Sequence, residues 1–185
     1  MQRQQPVADA TGLEALSAAV VFAPARATDL LAMSSFIFEH GPNDWNWLPV
    51  EGVQAHMQEI GDGHAHAVLA WQGRALVGLA TFRLTHQYCR YQTPERADAA
   101  HGYVCEVVVA PHCAGRGLGS ELLQKVNASL AVMGVREVYI DRHEENRASQ
   151  GMMRKAGFEV IETFAEPARR PYGSGRTTVC RIKLD

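Results

Sequence analysis

Apolar positions along this chain fall into short runs, alternating stretches and helical repeats, and these predict its elements in order. Residues 18–22 form a short apolar run, which predicts a first strand. Thr28 and Asp29 then open a helix whose apolar side is Leu30, Leu31, Met33 and Phe36, and the turn-forming cluster at residues 41–44 closes it. Residues 50–60 predict a second helix, ended by Gly61-Asp62-Gly63. Residues 66–71 and 74–84 read as two strands of a hairpin turned at Gln72-Gly73, with Gly78 marking a bulge. A polar stretch carries on to residue 102. The β-branched run at residues 103–109 then predicts a buried strand that stops before Pro111.

Leu118, Leu122, Val126 and Leu130 recur at four-residue spacing, with Leu123 and Met133 on the same broad face, so the next helix runs to Gly134. A strand at residues 135–141, a helix at 146–155 stopped by Gly157, and strands at 159–164 and 177–184 complete the chain. The resulting order is β-α-α-β-β-β-α-β-α-β-β. It predicts one mixed sheet with helices on both faces.

The connection from the 103–109 strand into the long helix carries Gly115, Gly117 and Gly119. Glycines there let a ligand approach the backbone, and the helix start adds free N–H groups and a positive dipole end. With Arg116 beside them, they describe an anion site suited to a phosphate or pyrophosphate. No Lys-Ser or Lys-Thr follows, so a nucleotide P-loop is excluded. Gly115, Gly117 and Asp141 partly fit a dinucleotide fingerprint, but Ser120 replaces its third glycine and the loop is too long for the tight first turn.

Composition narrows the choice. The 185 residues suit one domain with a sizeable core, and 46% hydrophobic with 21% charged residues is a soluble globular balance. A formal net charge of -2 without a basic tail argues against a nucleic-acid binder. The four cysteines form no C-x-x-C pair, which suits a reducing cytoplasm; Cys105 and Cys180 read as buried thiols and Cys113 as an exposed one. Residues 1–11 lack the apolar core of a signal peptide and read as a flexible arm, leaving 12–185 as the domain. No apolar run reaches the ~20 residues of a membrane span. His64 and His66 have no third ligand nearby, so no metal is expected.

Two segments together resemble the GNAT superfamily of N-acetyltransferases. Val109 to Gly119 resembles its motif A, a strand end followed by Q/R-x-x-G-x-G/A, here Ala114-Gly115-Arg116-Gly117-Leu118-Gly119, with Ala114 in place of Gln or Arg. Residues 146–158 resemble motif B, N-x-x-A-x-x-L-Y-x-K-x-G-F: Asn146, Lys155, Gly157 and Phe158 match, Ser149 takes the Ala position, and Met153 replaces the tyrosine. The resemblance covers roughly the C-terminal half. It implies an α/β (α+β) domain with a mixed, mostly antiparallel sheet and acetyl-CoA in the gap between the two central strands. It also implies acetyl transfer to a primary amine of a small molecule or peptide, with no metal, nucleic acid or membrane involved and a homodimer compatible. Val107, Val108 and Val109 would pair with the pantetheine arm, Gly115 to Ser120 would hold the pyrophosphate, and Asn146 and Met153 would flank the cofactor.

The chemistry implied needs a base, because an alkyl ammonium with a pKa of about 10 cannot attack a thioester. Glu106, a carboxylate in an apolar strand, ranks first and Asp141 second. The family's tyrosine acid is absent at Met153, leaving Tyr172 and Ser149 as substitutes. Trp45 and Trp47, flanked by Glu39, Asp44 and Glu51, are expected to form an aromatic wall for a cationic or aromatic acceptor. The same fold without turnover, an acyl-CoA-binding sensor, is the alternative, and a nicotinamide-dependent oxidoreductase is a distant third.

Overall fold

The seven strands form one sheet in the order 1-2-3-4-5-7-6 by chain position, with the fourth and fifth paired in parallel and the other neighbours antiparallel. The computed structural model describes residues 18–46 and 48–184. The expected arm at residues 1–11 and Trp47 lie outside the described residues. The strands are β1 (Val20–Pro24), β2 (Ala65–Gln72), β3 (Ala75–Thr85), β4 (His101–Val109), β5 (Glu137–His143), β6 (Glu159–Ala165) and β7 (Arg176–Lys183). The helices are α1 (Leu30–His40), α2 (Val50–Gly61), α3 (Leu118–Val132) and α4 (Arg147–Lys155). The order of elements is the one the hydrophobic pattern predicts, and the sheet is mixed and mostly antiparallel.

Period-two alternation decides which layer each strand residue enters. Ala67 and Leu69 pack with Met33, Phe36, Ile37, Val53 and Met57 of α1 and α2. Val68 and Ala70 pack on the opposite face with Leu118, Leu122, Leu123, Val126 and Leu130 of α3. Met133, expected on that apolar face, lies just past the helix and is 43% exposed. In the β2–β3 hairpin the irregularity falls beside Gly78: Ala70 pairs with Gly78 but Trp71 with Leu76, leaving Val77 as the extra residue.

Strand β4 departs from regularity in two ways that create the site. First, Thr81 pairs with Glu106 but Phe82 with Val104, so Cys105 is an extra residue. The bulge inverts the alternation. Val104, before it, joins the α3 face, whereas Val108, four residues on, joins the α1–α2 face. Second, β4 pairs with β5 only at Gly102–Val138 and Tyr103–Tyr139. Beyond Tyr103 the two strands diverge.

Gly102 stands at that single junction. A Cβ placed there would lie 2.6 Å from Leu130 Cδ1, and Leu130 is fully buried, so its side chain would have to shift within a packed core. Gly102→Ala should therefore destabilise the fold by about 1–3 kcal/mol. Urea unfolding checks this; an unchanged midpoint would show that the junction tolerates a methyl group.

Candidate active site

Three connected spaces surround the divergence of β4 and β5. On the α3 side lies a cleft of about 450 Å³, bounded by Val107 and Val109 of β4, by Ala114, Gly115, Gly117, Leu118, Gly119 and Ser120 at the start of α3, and by Arg147, Ser149, Met152 and Lys155 of α4. On the α1–α2 side lies a pocket of about 220 Å³ that reaches Glu106. A polar chamber of about 60 Å³ joins them: it shares Ser149 with the cleft and Cys105, Glu106 and Arg169 with the pocket.

The glycines at the start of α3 make room for the side chains of α4. Gly117 caps α3 with φ +91°, and a Cβ there would meet Lys155 Nζ at 2.8 Å. A Cβ on Gly119 would fall 2.6 Å from Met152 Sδ. Ser120 is turned away, its hydroxyl donating to the Met152 carbonyl at 3.1 Å, which ties α3 to α4. The N–H groups at the helix start, with Lys155 and Arg147 facing them, make an electropositive cradle.

Several residues singled out from sequence lie elsewhere. Arg116 lines a separate groove with Val20, Gln72 and Glu121. Val108 points to the α1–α2 core, since it sits between Val107 and Val109 on an alternating strand. Met153 is 3% exposed within the α3 core, and its neighbour Met152 faces the cleft instead. Asn146 caps α4, its Oδ1 accepting from the Ser149 N–H at 2.9 Å, and borders the chamber. Tyr172 is 69% exposed, and its carbonyl, not its hydroxyl, is engaged, accepting from His143 Nε2 at 2.9 Å. Trp45 stacks on His143 at 4.5 Å and lines none of the three spaces. Cys113 is buried rather than exposed, because it packs under α3, and Cys105 is half-buried at the bulge.

The two carboxylates chosen as candidate bases have opposite surroundings. Asp141 accepts from Arg170 Nη2 at 2.7 Å, Arg169 Nη1 at 2.9 Å, Tyr103 OH at 2.8 Å and Tyr88 OH at 2.9 Å. Burial alone would raise its pKa, but the arginines, Arg169 foremost, outweigh it and hold the pKa below the ordinary value. Glu106 lies on the neighbouring strand. Its carboxylate has no hydrogen bond or ion pair among the described residues, and burial pushes its pKa up to about 7, with Arg169 pulling the other way.

Sequence inspection also passed over a hydrogen-bonded chain that holds the Glu106 backbone. The Glu106 N–H donates to Thr81 Oγ1 at 3.2 Å, leaving that hydroxyl to donate to His56 Nε2 at 2.8 Å. His56 Nδ1 then donates to Glu59 Oε2 at 3.1 Å, and Arg83 Nη1 donates to both Glu59 oxygens at 3.1 Å. His56 and Arg83 come from α2 and β3, far from either motif, so nothing in local spacing marks them. The Arg169-Arg170 pair in the β6–β7 loop and Lys155 in the second motif were visible signals.

A model of the GNAT acetyltransferase family matches residues 30–158. The chain belongs to that family. It is 30% identical over 63 residues to GCN5-related N-acetyltransferase 6, chloroplastic, of Arabidopsis thaliana, a match spanning 34% of this chain and 22% of that protein. The chain therefore matches about a fifth of that relative's length. Its fold is similar to Arabidopsis thaliana NAA60, solved with a bisubstrate analogue, at TM-score 0.69 and 14% identity, covering 90% of this chain and 99% of the other. It is also similar to yncA from Salmonella typhimurium, solved with its cofactor acetyl-CoA, at TM-score 0.66 and 17% identity, covering 91% and 95%. Among the described residues no helix is long and apolar enough to cross a membrane, and no cluster of metal-binding side chains occurs.

The Asp141 cluster should act as a stability element. Asp141→Asn leaves two partly buried guanidinium groups short of a counter-charge, and a loss of about 3–5 kcal/mol is expected on denaturant unfolding. Because its pKa is depressed by folding, the stability Asp141 supplies is in force above the unfolded value of 3.8 and disappears as pH falls through the folded one. In the Asn variant that acid-induced loss should be blunted; an unaltered acid limb would count against the assignment.

Proposed function

We propose that this protein transfers the acetyl group of acetyl-CoA to the primary amine of a small molecule or peptide, with Glu106 as general base. The observation that carries the proposal is the placement of Glu106. It is an unpaired carboxylate with a pKa raised to near neutrality, lining the pocket on the α1–α2 side and the polar chamber that shares Ser149 with the electropositive glycine-lined cleft.

The cleft fits the donor. Gly115, Gly117, Gly119 and Ser120 would present backbone N–H groups to the pyrophosphate, with Arg147 and Lys155 supplying charge. Val107 and Val109 line the wall along which the pantetheine arm would run, and Asn146 would lie near its inner end. Beyond Tyr103, backbone groups on the β5 side of β4 have no strand partner. They are free to pair with that arm and to donate to the thioester oxygen as negative charge develops on it.

Acetyl-CoA supplies the thioester; the chain supplies proton transfer and alignment. Glu106 takes one proton from the acceptor ammonium, the freed nitrogen forms a bond to the acetyl carbonyl carbon, and as the carbon–sulfur bond breaks the nitrogen releases its second proton to solvent, which in turn protonates the departing thiolate. A carboxylate with a pKa near 7 matches this task better than Asp141, whose four donors leave it a weak base. The absence of a hydroxyl at Met153 favours a second reading, a protein that binds acyl-CoA without turnover. In that case acetyl-CoA binds but no amine is consumed.

Thiol release from acetyl-CoA over a panel of amines, with calorimetric acetyl-CoA binding alongside, separates the two. Glu106→Gln should lower kcat/KM about 10²–10⁴-fold while leaving acetyl-CoA affinity intact. Because the base acts deprotonated, kcat/KM of the parent should rise with pH to a plateau above about 7, and this limb should vanish in the variant. Gly119→Val should abolish acetyl-CoA binding. Full activity in Glu106→Gln would remove the residue from the mechanism.

A further inference from the structure

The pocket on the far side of Glu106 has an unusual charge pattern for a site that receives an amine. Its lining includes two guanidinium groups, Arg83 and Arg169, and one carboxylate, Glu106. An amine alone would need only the carboxylate, and a polyamine would set its further ammonium groups against the arginines. From this arrangement we infer that the acceptor is a small zwitterion, a primary amine that carries a carboxylate, of the kind a free amino acid presents. The inference rests on the acetyl-transfer reading of the site and narrows its substrate class.

Donor accounting supports it. Arg83 spends Nη1 on Glu59, leaving Nε and Nη2 without a partner among the described residues. Arg169 spends Nη1 on Asp141, which it shares with Arg170, and its Nη2 reaches only Tyr103 OH at 3.4 Å; Glu166 lies 3.7 Å from Nη1. Both side chains remain about one-third exposed, so their free edges are accessible. Glu59 is itself fixed by His56, so the Arg83 fork is held in place rather than floating. A guanidinium with an open edge is the side chain best shaped to receive a carboxylate through paired N–H donors.

Geometry places the two ends of such an acceptor. Thr81 and Arg83 are two residues apart on β3 and share a face, and Glu106 pairs directly with Thr81. The pocket therefore puts a proton acceptor and a carboxylate receptor on the same sheet surface, two residues along and one strand across, roughly 7–8 Å between backbone positions. The long arginine side chain can shorten that span. Ile37, Pro49 and Val53 contribute an apolar wall suited to a small aliphatic side chain, with His56, Tyr103 and Cys105 completing the lining beside Gly52. A volume of about 220 Å³ fits a single amino acid. In the transfer itself one ammonium proton goes to Glu106, the new bond joins nitrogen to the acetyl carbon as the carbon–sulfur bond breaks, the second proton passes through solvent to the departing thiolate, and the carboxylate stays on Arg83 unchanged.

The test uses the intact protein with acetyl-CoA and follows thiol release. Free α-amino acids are compared with their decarboxylated amines and their carboxamides, side chain by side chain. For the preferred side chain, kcat/KM for the amino acid should exceed that of its amine and amide by roughly 10–100-fold, the span of one charge-assisted pair. Arg83→Gln should collapse that ratio towards one, chiefly through KM, and Arg83→Lys should restore part of it. Thermal melts of both variants show whether they remain folded. Equal or better turnover of the plain amine or the amide, or an unchanged ratio in folded Arg83→Gln, overturns the inference. Acetyl-CoA binding with turnover of amines but no amino acid overturns the acceptor class alone; no acetyl-CoA binding overturns the donor site beneath it as well.

Discussion

The constraint on which the rest depends is the backbone of β4. It is held to β3 along its length but to β5 at only two pairs of residues. A buried peptide group without a partner is costly, so a strand edge left open in mid-sheet must face either water or a ligand. The opening is not a defect at the margin of the sheet. It lies between the α1–α2 layer and the α3–α4 layer, where a chain of spaces runs from the glycine-lined cleft to the pocket beyond. The bulge at Cys105 adds the second half of the design. By inserting one residue it turns Val107 and Val109 toward the cleft and keeps Glu106 on the pocket side. Without the bulge the carboxylate would project toward α3.

Two acidic residues on adjacent strands show how partners decide what burial does. Both Asp141 and Glu106 are removed from bulk water, which by itself favours the neutral acid. Around Asp141 two guanidinium groups and two phenols reverse that preference, and the residue becomes a fixed anion that ties the β6–β7 loop to β5 and to the segment bearing Tyr88. Arg170 extends the tie to the Trp45 carbonyl and to Thr177. Around Glu106 the nearby arginines offset burial only in part, since neither donates to its carboxylate, and the residue remains able to exchange a proton near neutral pH. The separation of roles follows from placement, since the side chains differ by one methylene.

Much of the architecture was legible because it rests on local signals. Helix α3 announces itself by four-residue spacing, and β4 by a β-branched run. The loop between them is marked by glycines whose Cβ atoms would collide with α4 side chains. Strand ends were less legible: β5 continues through Asp141 to His143, because its pairing with β7 extends that far. Cys113 read as exposed from its loop position, yet the short turn at Pro111–Cys113 tucks it under Leu118. Trp45, which read as a ligand wall beside acidic neighbours, is spent on packing against His143.

The amino-acid order by itself determined the sequence of elements, the glycine-rich start of α3 and the identity of Glu106 as an unusual carboxylate. Each of these follows from residue type and short-range spacing, which constrain backbone conformation directly. Only the tertiary structure decided what surrounds that carboxylate. Arg83, His56 and Arg169 lie 23, 50 and 63 positions from Glu106 in the chain and meet it only when β3, α2 and the β6–β7 loop close around β4. The parity switch at Cys105 was equally invisible, because a bulge is a mismatch between two strands and neither strand records it alone. Long-range register, not composition, sets which face a side chain enters, and here that choice separates a buried anchor from a residue positioned for chemistry.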